Sequence, residues 1–139
     1  MRAVYKYLAG LVFLGVILQI GFAGYGAFSV AGDVDGGTVN EERFEDVFGL
    51  HAGFGYLVLL LSLILLIVAL VARTRIKHSA ILFGLFIVQT LLAWFGFEVA
   101  WIGFFHPINA VLIAGLSGML AVTEWRGGMP HTHTRTTAV

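Results

Sequence analysis

Four polar side chains interrupt the apolar stretches of this chain at places where they could do chemistry. They are Gln19 in VILQIGFAGYG, His51 in LHAGFGYL, Gln89 in FIVQTLLAWFG and His106 in FFHPINA. Imidazole is the commonest nitrogen ligand for a metal, and a polar group inside a bilayer is costly and usually partnered. His51 and His106 head two apolar runs at matching depth, so two imidazoles reaching inward to one iron is the chemistry their placement points to. Each has a plainer reading as a solvated interfacial residue. His106 also precedes Pro107, which disfavours helical geometry at 106, so a helix is expected with Pro107 in its first position and His106 just outside. Gln19 and Gln89 fall near mid-bilayer. They either bond each other, a ligand or a quinone head group, or tie helices together with a structural bond worth about 1 kcal/mol.

These residues need elements to carry them, and composition states which. The chain has 139 residues, 59% hydrophobic and 12% charged, with mean hydropathy +0.94 and no cysteine. That is the profile of a polytopic membrane protein with room for one domain. A bilayer core of about 30 Å needs about 20 apolar residues as helix. Four segments qualify, roughly Tyr5 to Val30, Val47 to Ala72, Ser79 to Phe97 and Pro107 to Trp125. The expected fold is all-α: a four-transmembrane-helix up-and-down bundle at 1–126, followed by a polar tail at 127–139 that lacks any packing pattern and reads as disordered. The first apolar run follows Arg2 and Lys6 as a signal peptide would, but it is too long for one and matches the third span.

Seven of the eight Lys and Arg residues fall at the N-terminus, in the second loop or in the tail, which places both termini in the cytoplasm. The loop at 31–46, AGDVDGGTVNEERFED, carries six of the eight carboxylates and Arg43 as its one cation, and is expected outside. Trp94 and Trp101 belong at the outer interface. Glu41, Glu42, Glu45 and Asp46 either dock a basic partner or are solvated surface.

The chain also reads as an internal duplication. Aligning the two glutamine segments superposes Gln19 on Gln89, Ala23 on Ala93 and Gly26 on Gly96. Aligning the two histidine segments superposes His51 on His106 and Ser62 on Ser117. Each two-helix half enters and leaves on one side, the parallel type of repeat. In such a bundle the second and fourth spans stand diagonally, roughly 12 to 14 Å apart. One turn below the histidines, on the same face, stand Gly55 and Ala110, small enough to admit a flat macrocycle. Gly53, Gly21, Gly24 and Gly26 permit close approach, and Phe22, Phe54, Phe95 and Phe105 are candidate walls. Small residues equally serve helix packing and homo-oligomerisation.

Over Met1 to about Trp125, the glutamines of the odd helices with LHAGFGYL and FHPINA of the even ones resemble a family of small prokaryotic four-helix membrane proteins of uncharacterised function. The arrangement is similar, more distantly, to one four-helix half of haem A synthase and to bis-His membrane b-type cytochromes. The resemblance implies a b-type haem ligated by His51 and His106 near the outer face of the cytoplasmic membrane. Arg43 and Asn109 are then candidates for the haem propionates. No glutamate stands beside His51 and there is one bundle, so haem A synthesis is not what is implied. With both axial positions filled, the expected role is electron transfer between a membrane quinol and an outer redox partner protein rather than an enzyme with its own substrate.

The competing class is a non-catalytic membrane subunit or scaffold without haem. A permease path through Gln19 and Gln89 lacks a membrane-embedded charge. Zero net charge argues against nucleic acid, the lack of cysteine removes thiol chemistry, and no catalytic constellation is present. His78 belongs to the solvated basic run RTRIKH, and His131 and His133 of the tail are at most an adventitious metal site.

Overall fold

The computed structural model describes residues 1–34, 36, 37 and 40–127. The tail with His131 and His133 lies outside the described residues. Four long helices, α1 (Arg2–Val34), α2 (Glu41–Ala72), α3 (Ile76–Glu98) and α5 (Phe105–Arg126), are joined by short turns, with a four-residue helix α4 (Ala100–Gly103) before α5. Each long helix is long and apolar enough to cross a membrane, α5 together with α4.

The helices are apolar all round, so packing uses only a narrow seam of each and the remainder faces outward. The core is Tyr5, Ala9, Val12, Val16, Val58, Leu65, Ala69, Leu82, Phe86, Ile113 and Leu120. Large side chains such as Leu18, Ile67, Leu91 and Val111 stay exposed, which is the outside a lipid solvent permits. Around the bundle the order is α1, α2, α3, α5, each touching the next, and α5 closes on α1. Among the described residues the backbones of α2 and α5 nowhere come within 8 Å of each other at Cα, so the two histidine-bearing helices stand diagonally as expected.

Two glycines set the α1–α2 approach. A Cβ on Gly15 would come within 2.9 Å of Val58, and one on Gly26 within 2.8 Å of the Phe48 ring. Contacts at one end of the bundle gather the start of α1, the α2–α3 turn and the end of α5. Tyr5 Oη and Ser79 Oγ share a buried hydrogen bond of 2.9 Å, Arg75 pairs with Glu124 at 3.1 Å, and Lys6 Nζ lies 4.1 Å over the Trp125 ring. The turn is tight: Arg73 takes a left-handed conformation (φ 50°) and the Thr74 N–H donates back to Ala69 O at 3.0 Å, the usual glycine-type helix stop made here with arginine. A cation there also faces the negative end of the helix dipole.

At the opposite end the helices outrun the expected spans. Residues read as outer loop join α1 up to Val34 and α2 from Glu41. Asn40 caps α2, its side chain accepting the Arg43 N–H at 2.8 Å, and Glu41 and Glu42 occupy the first turn, where a carboxylate is stabilised by the positive end of the dipole. The helix around His106 differs as well. It begins at Phe105, so His106 is helical rather than outside, and Pro107 sits within the first turn, where the missing N–H has no intrahelical partner to lose.

Candidate functional site

The rings of His51 and His106 face one another across the bundle, centroids 6.3 Å apart at an interplanar angle of 65°. Both are half-buried. Each is held by the glutamine of the preceding long helix. His51 Nδ1–H donates to the backbone carbonyl of Gln19 at 3.2 Å, and His106 Nδ1–H donates to the backbone carbonyl of Gln89 at 3.1 Å. A carbonyl only accepts, so both Nδ1 atoms carry the proton and both Nε2 atoms keep the lone pair. This is the tautomer and the supporting bond that a metal-ligating histidine ordinarily has.

The glutamine side chains face those lone pairs. The Gln89 amide donates to His106 Nε2 at 3.0 Å, while its Oε1 accepts from Asn109 Nδ2 at 2.7 Å. Asn109 Nδ2 also donates to the Leu85 carbonyl at 2.9 Å and is almost fully buried. Every bond in this half has a partner. On the α1–α2 side the position three residues after the histidine is Phe54, which cannot donate. Gln19 Nε2 there donates to the His51 carbonyl at 2.7 Å and lies 3.4 Å from His51 Nε2, too long for a strong bond. Gln19 Oε1 is buried with no partner among the described residues. Such an orphan acceptor costs about 1–3 kcal/mol.

A second contact is paralleled in the two halves. Gly26 packs on Phe48, three residues before His51, and a Cβ on Gly96 would come within 2.7 Å of Gly103 Cα, three residues before His106. Ser62 and Ser117, eleven residues after each histidine, are buried and bond their own helices, to Leu59 O and Ile113 O, both at 2.7 Å.

The expected site residues are therefore only partly brought together. His51, His106, Gln19, Gln89 and Asn109 form one polar cluster. The glutamines bond the histidines rather than each other, and Asn109 serves Gln89. Gly55 is small to make room for Gln19, whose Nε2 would lie 2.8 Å from a Cβ there. Ala110 is half-buried one turn below His106. Arg43 is not in the cluster: it stands eight residues above His51 on α2, about 12 Å along the axis, and pairs with Asp33 at 2.7 Å and Asp46 at 3.0 Å. Of the aromatics, Phe22 and Phe54 pack edge to face on each other at 5.1 Å. Phe95 and Phe105 face outward. The ring against His51 is Phe48, at 6.4 Å, visible in the sequence as the residue one turn before the histidine.

Iron-type ligation can be tested against these distances. Metal–nitrogen bonds of about 2 Å on either side, plus about 1 Å from each nitrogen to its own ring centre, put two opposed axial imidazoles roughly 6 Å apart. The ring separation of 6.3 Å matches that spacing, while each Nε2 is met by a glutamine amide, at 3.0 Å for His106 and 3.4 Å for His51. Among the described residues no group of three or more His, Cys, Asp or Glu could hold a bare metal ion. Comparison of the chain with protein-family models, curated proteins and solved structures gave no match.

Proposed function

We propose that this chain is a small b-type membrane cytochrome in which His51 and His106 hold one haem b and pass electrons between a membrane quinol and a redox partner protein. The observation that carries the reading is the pair of imidazoles with ring centroids 6.3 Å apart, each fixed through Nδ1–H on a backbone carbonyl so that Nε2 carries the lone pair. Haem bound there would supply a one-electron couple. The chain's residues orient the two rings, exclude water from them, and set the dielectric around them, which are the protein's levers on potential.

The paralleled contacts, Gln19 with His51 and Gln89 with His106, Gly26 with Phe48 and Gly96 with Gly103, support an origin in two two-helix repeats. The gathering of Arg2, Lys6, Arg73, Arg75, Lys77 and Arg126 at one end supports cytoplasmic termini, with the acidic first turn of α2 outside. The location would be a prokaryotic cytoplasmic membrane. An alkaline phosphatase fusion at the C-terminus should be inactive, and an active one overturns this orientation.

A second reading has its own observation: Gln89 already satisfies His106 Nε2 at 3.0 Å, as a haem-free scaffold would require. The deciding experiment is a dithionite-reduced minus oxidised spectrum of detergent-purified protein from haem-replete cells. A sharp six-coordinate b-type spectrum, altered by His51→Ala and by His106→Ala, is expected; a colourless protein gives the scaffold reading.

A further inference from the structure

Arg73 and Arg75 of the α2–α3 turn are the two non-glycine residues with a left-handed backbone among the described residues, at φ 50° and 49°. Glycine takes that conformation freely, whereas a Cβ opposes it. Both positions nonetheless hold a guanidinium. Arg75 is engaged by Glu124. Arg73 and Lys77 are exposed and take part in no ion pair among the described residues. With α2 and α3 both long and apolar enough to cross a membrane, the turn that joins them stands at the head-group layer. The bias of cations toward one side of a membrane is met wherever they sit on that side. It does not call for them at positions suited to glycine.

Below the turn, α2 and α3 form an apolar groove of about 200 Å³, lined by Leu59, Leu60, Leu63, Phe83 and Ile87, with Tyr56 at the end farthest from the turn. Tyr56, Leu60 and Ile87 are exposed, so the groove opens on the outside of the bundle. Helical rows lead from it to the two free cations. On α2 the row is Leu63, Leu66, Leu70 and then Arg73; on α3 it is Ile87, Gly84, Ala80 and then Lys77. Gly84 and Ala80 keep the α3 row low, and a Cβ on Gly84 would meet nothing within 4 Å. Ten residues separate Leu63 from Arg73 and six separate Phe83 from Lys77, so the groove begins about 9 to 15 Å below the cations. One leaflet of the apolar core is about 15 Å deep. The groove therefore lies where the lower part of an acyl chain would run if its head group sat on the turn.

We propose that the α2–α3 turn and groove bind one anionic phospholipid, its phosphate held by Arg73 and Lys77 and one acyl chain laid in the groove. Charge selects the lipid. An acidic head group leaves a net negative charge for the two cations, whereas a zwitterionic one brings its own cation. The site is independent of what His51 and His106 hold at the opposite end.

The test is native mass spectrometry of the full chain released from micelles containing phosphatidylglycerol or phosphatidylcholine with the same acyl chains. Wild-type protein should retain one phosphatidylglycerol in clear preference to phosphatidylcholine. Each cation near a membrane surface contributes about fivefold in affinity. Arg73→Gly should thus weaken phosphatidylglycerol about fivefold, while the unfolding midpoint in phosphatidylcholine micelles does not fall, because glycine suits that backbone. Adding Lys77→Gln should remove the preference, and Leu60→Trp should weaken retention by filling the groove. Glycerol phosphate in large excess should not displace the lipid, since it lacks the chain. Equal retention of the two lipids by wild type overturns the proposal, as does displacement by glycerol phosphate or indifference to Leu60→Trp. A loss in Arg126→Gln as large as in Arg73→Gly also overturns it, because the whole basic end rather than this turn would then attract the lipid. None of these outcomes bears on the cytochrome reading.

Discussion

Asn109 Nδ2 donates to Gln89 Oε1 over 2.7 Å, and by that bond fixes which end of the Gln89 amide faces His106. Phe54 takes the corresponding place below His51, and Gln19 Oε1 goes without a donor. One asparagine thus divides two otherwise parallel halves into a satisfied one and a strained one.

The division is measurable as stability. Gln89→Leu strands both the Asn109 donor and the His106 acceptor, whereas Gln19→Leu removes an orphaned carbonyl together with the bonds it loses. We expect Gln89→Leu to destabilise by about 1–2 kcal/mol more than Gln19→Leu, read by unfolding in mixed micelles. Equal losses would mean that the orphaned oxygen is satisfied in the membrane.

The packing glycines give a contrast between neighbours on one helix. Gly15→Ala and Gly26→Ala drive a methyl into Val58 and Phe48 and should each cost about 1–3 kcal/mol. Gly21→Ala, with no heavy atom within 4 Å of the new methyl, should leave the unfolding midpoint unchanged. A loss at Gly21 as large as at Gly15 would reveal a partner surface on that face.

At the end of the bundle that carries the α2–α3 turn, Tyr5 and Ser79 are wholly buried and share one hydrogen bond. Tyr5→Phe and Ser79→Ala should each destabilise, and the double variant should lose less than the sum, with a coupling of about 0.5–1.5 kcal/mol. Strict additivity would deny the bond any role.

The Arg75–Glu124 pair joins the α2–α3 turn to α5 with both groups partly exposed, 38% and 18%. Glu124→Gln should therefore change stability by less than about 1 kcal/mol, and salt should erase what difference there is.

Much of this molecule was legible in its sequence. Hydropathy located four spans, and the level of His51 with His106 followed from counting residues to the helix ends. The ends themselves were missed at 31–46, because hydropathy marks where lipid stops, not where a helix does; Asn40 followed by Glu41 and Glu42 was the available signal of a helix start. His106 was placed outside its helix by a rule for residues before proline that the first turn can absorb. The partners of the glutamines were not legible at all. Gln19 meets His51, and Gln89 meets Asn109, only through the rotation of helices about their axes, and helices apolar on every side give no pattern from which that rotation can be read. Gly55 reads in the sequence as room for a flat macrocycle, and in the structure the Gln19 amide lies against it.

Four rods joined only along their sides make a frame that can shear, because a quadrilateral keeps its edge lengths while its angles change. A frame of that kind becomes stiff when a strut crosses one diagonal. The His51–His106 contact spans the α2–α5 diagonal, where the helices themselves do not meet. The two rings are thus the one cross-tie at that end among the described residues, and removing either would leave the angles of the frame there to the side-to-side contacts alone.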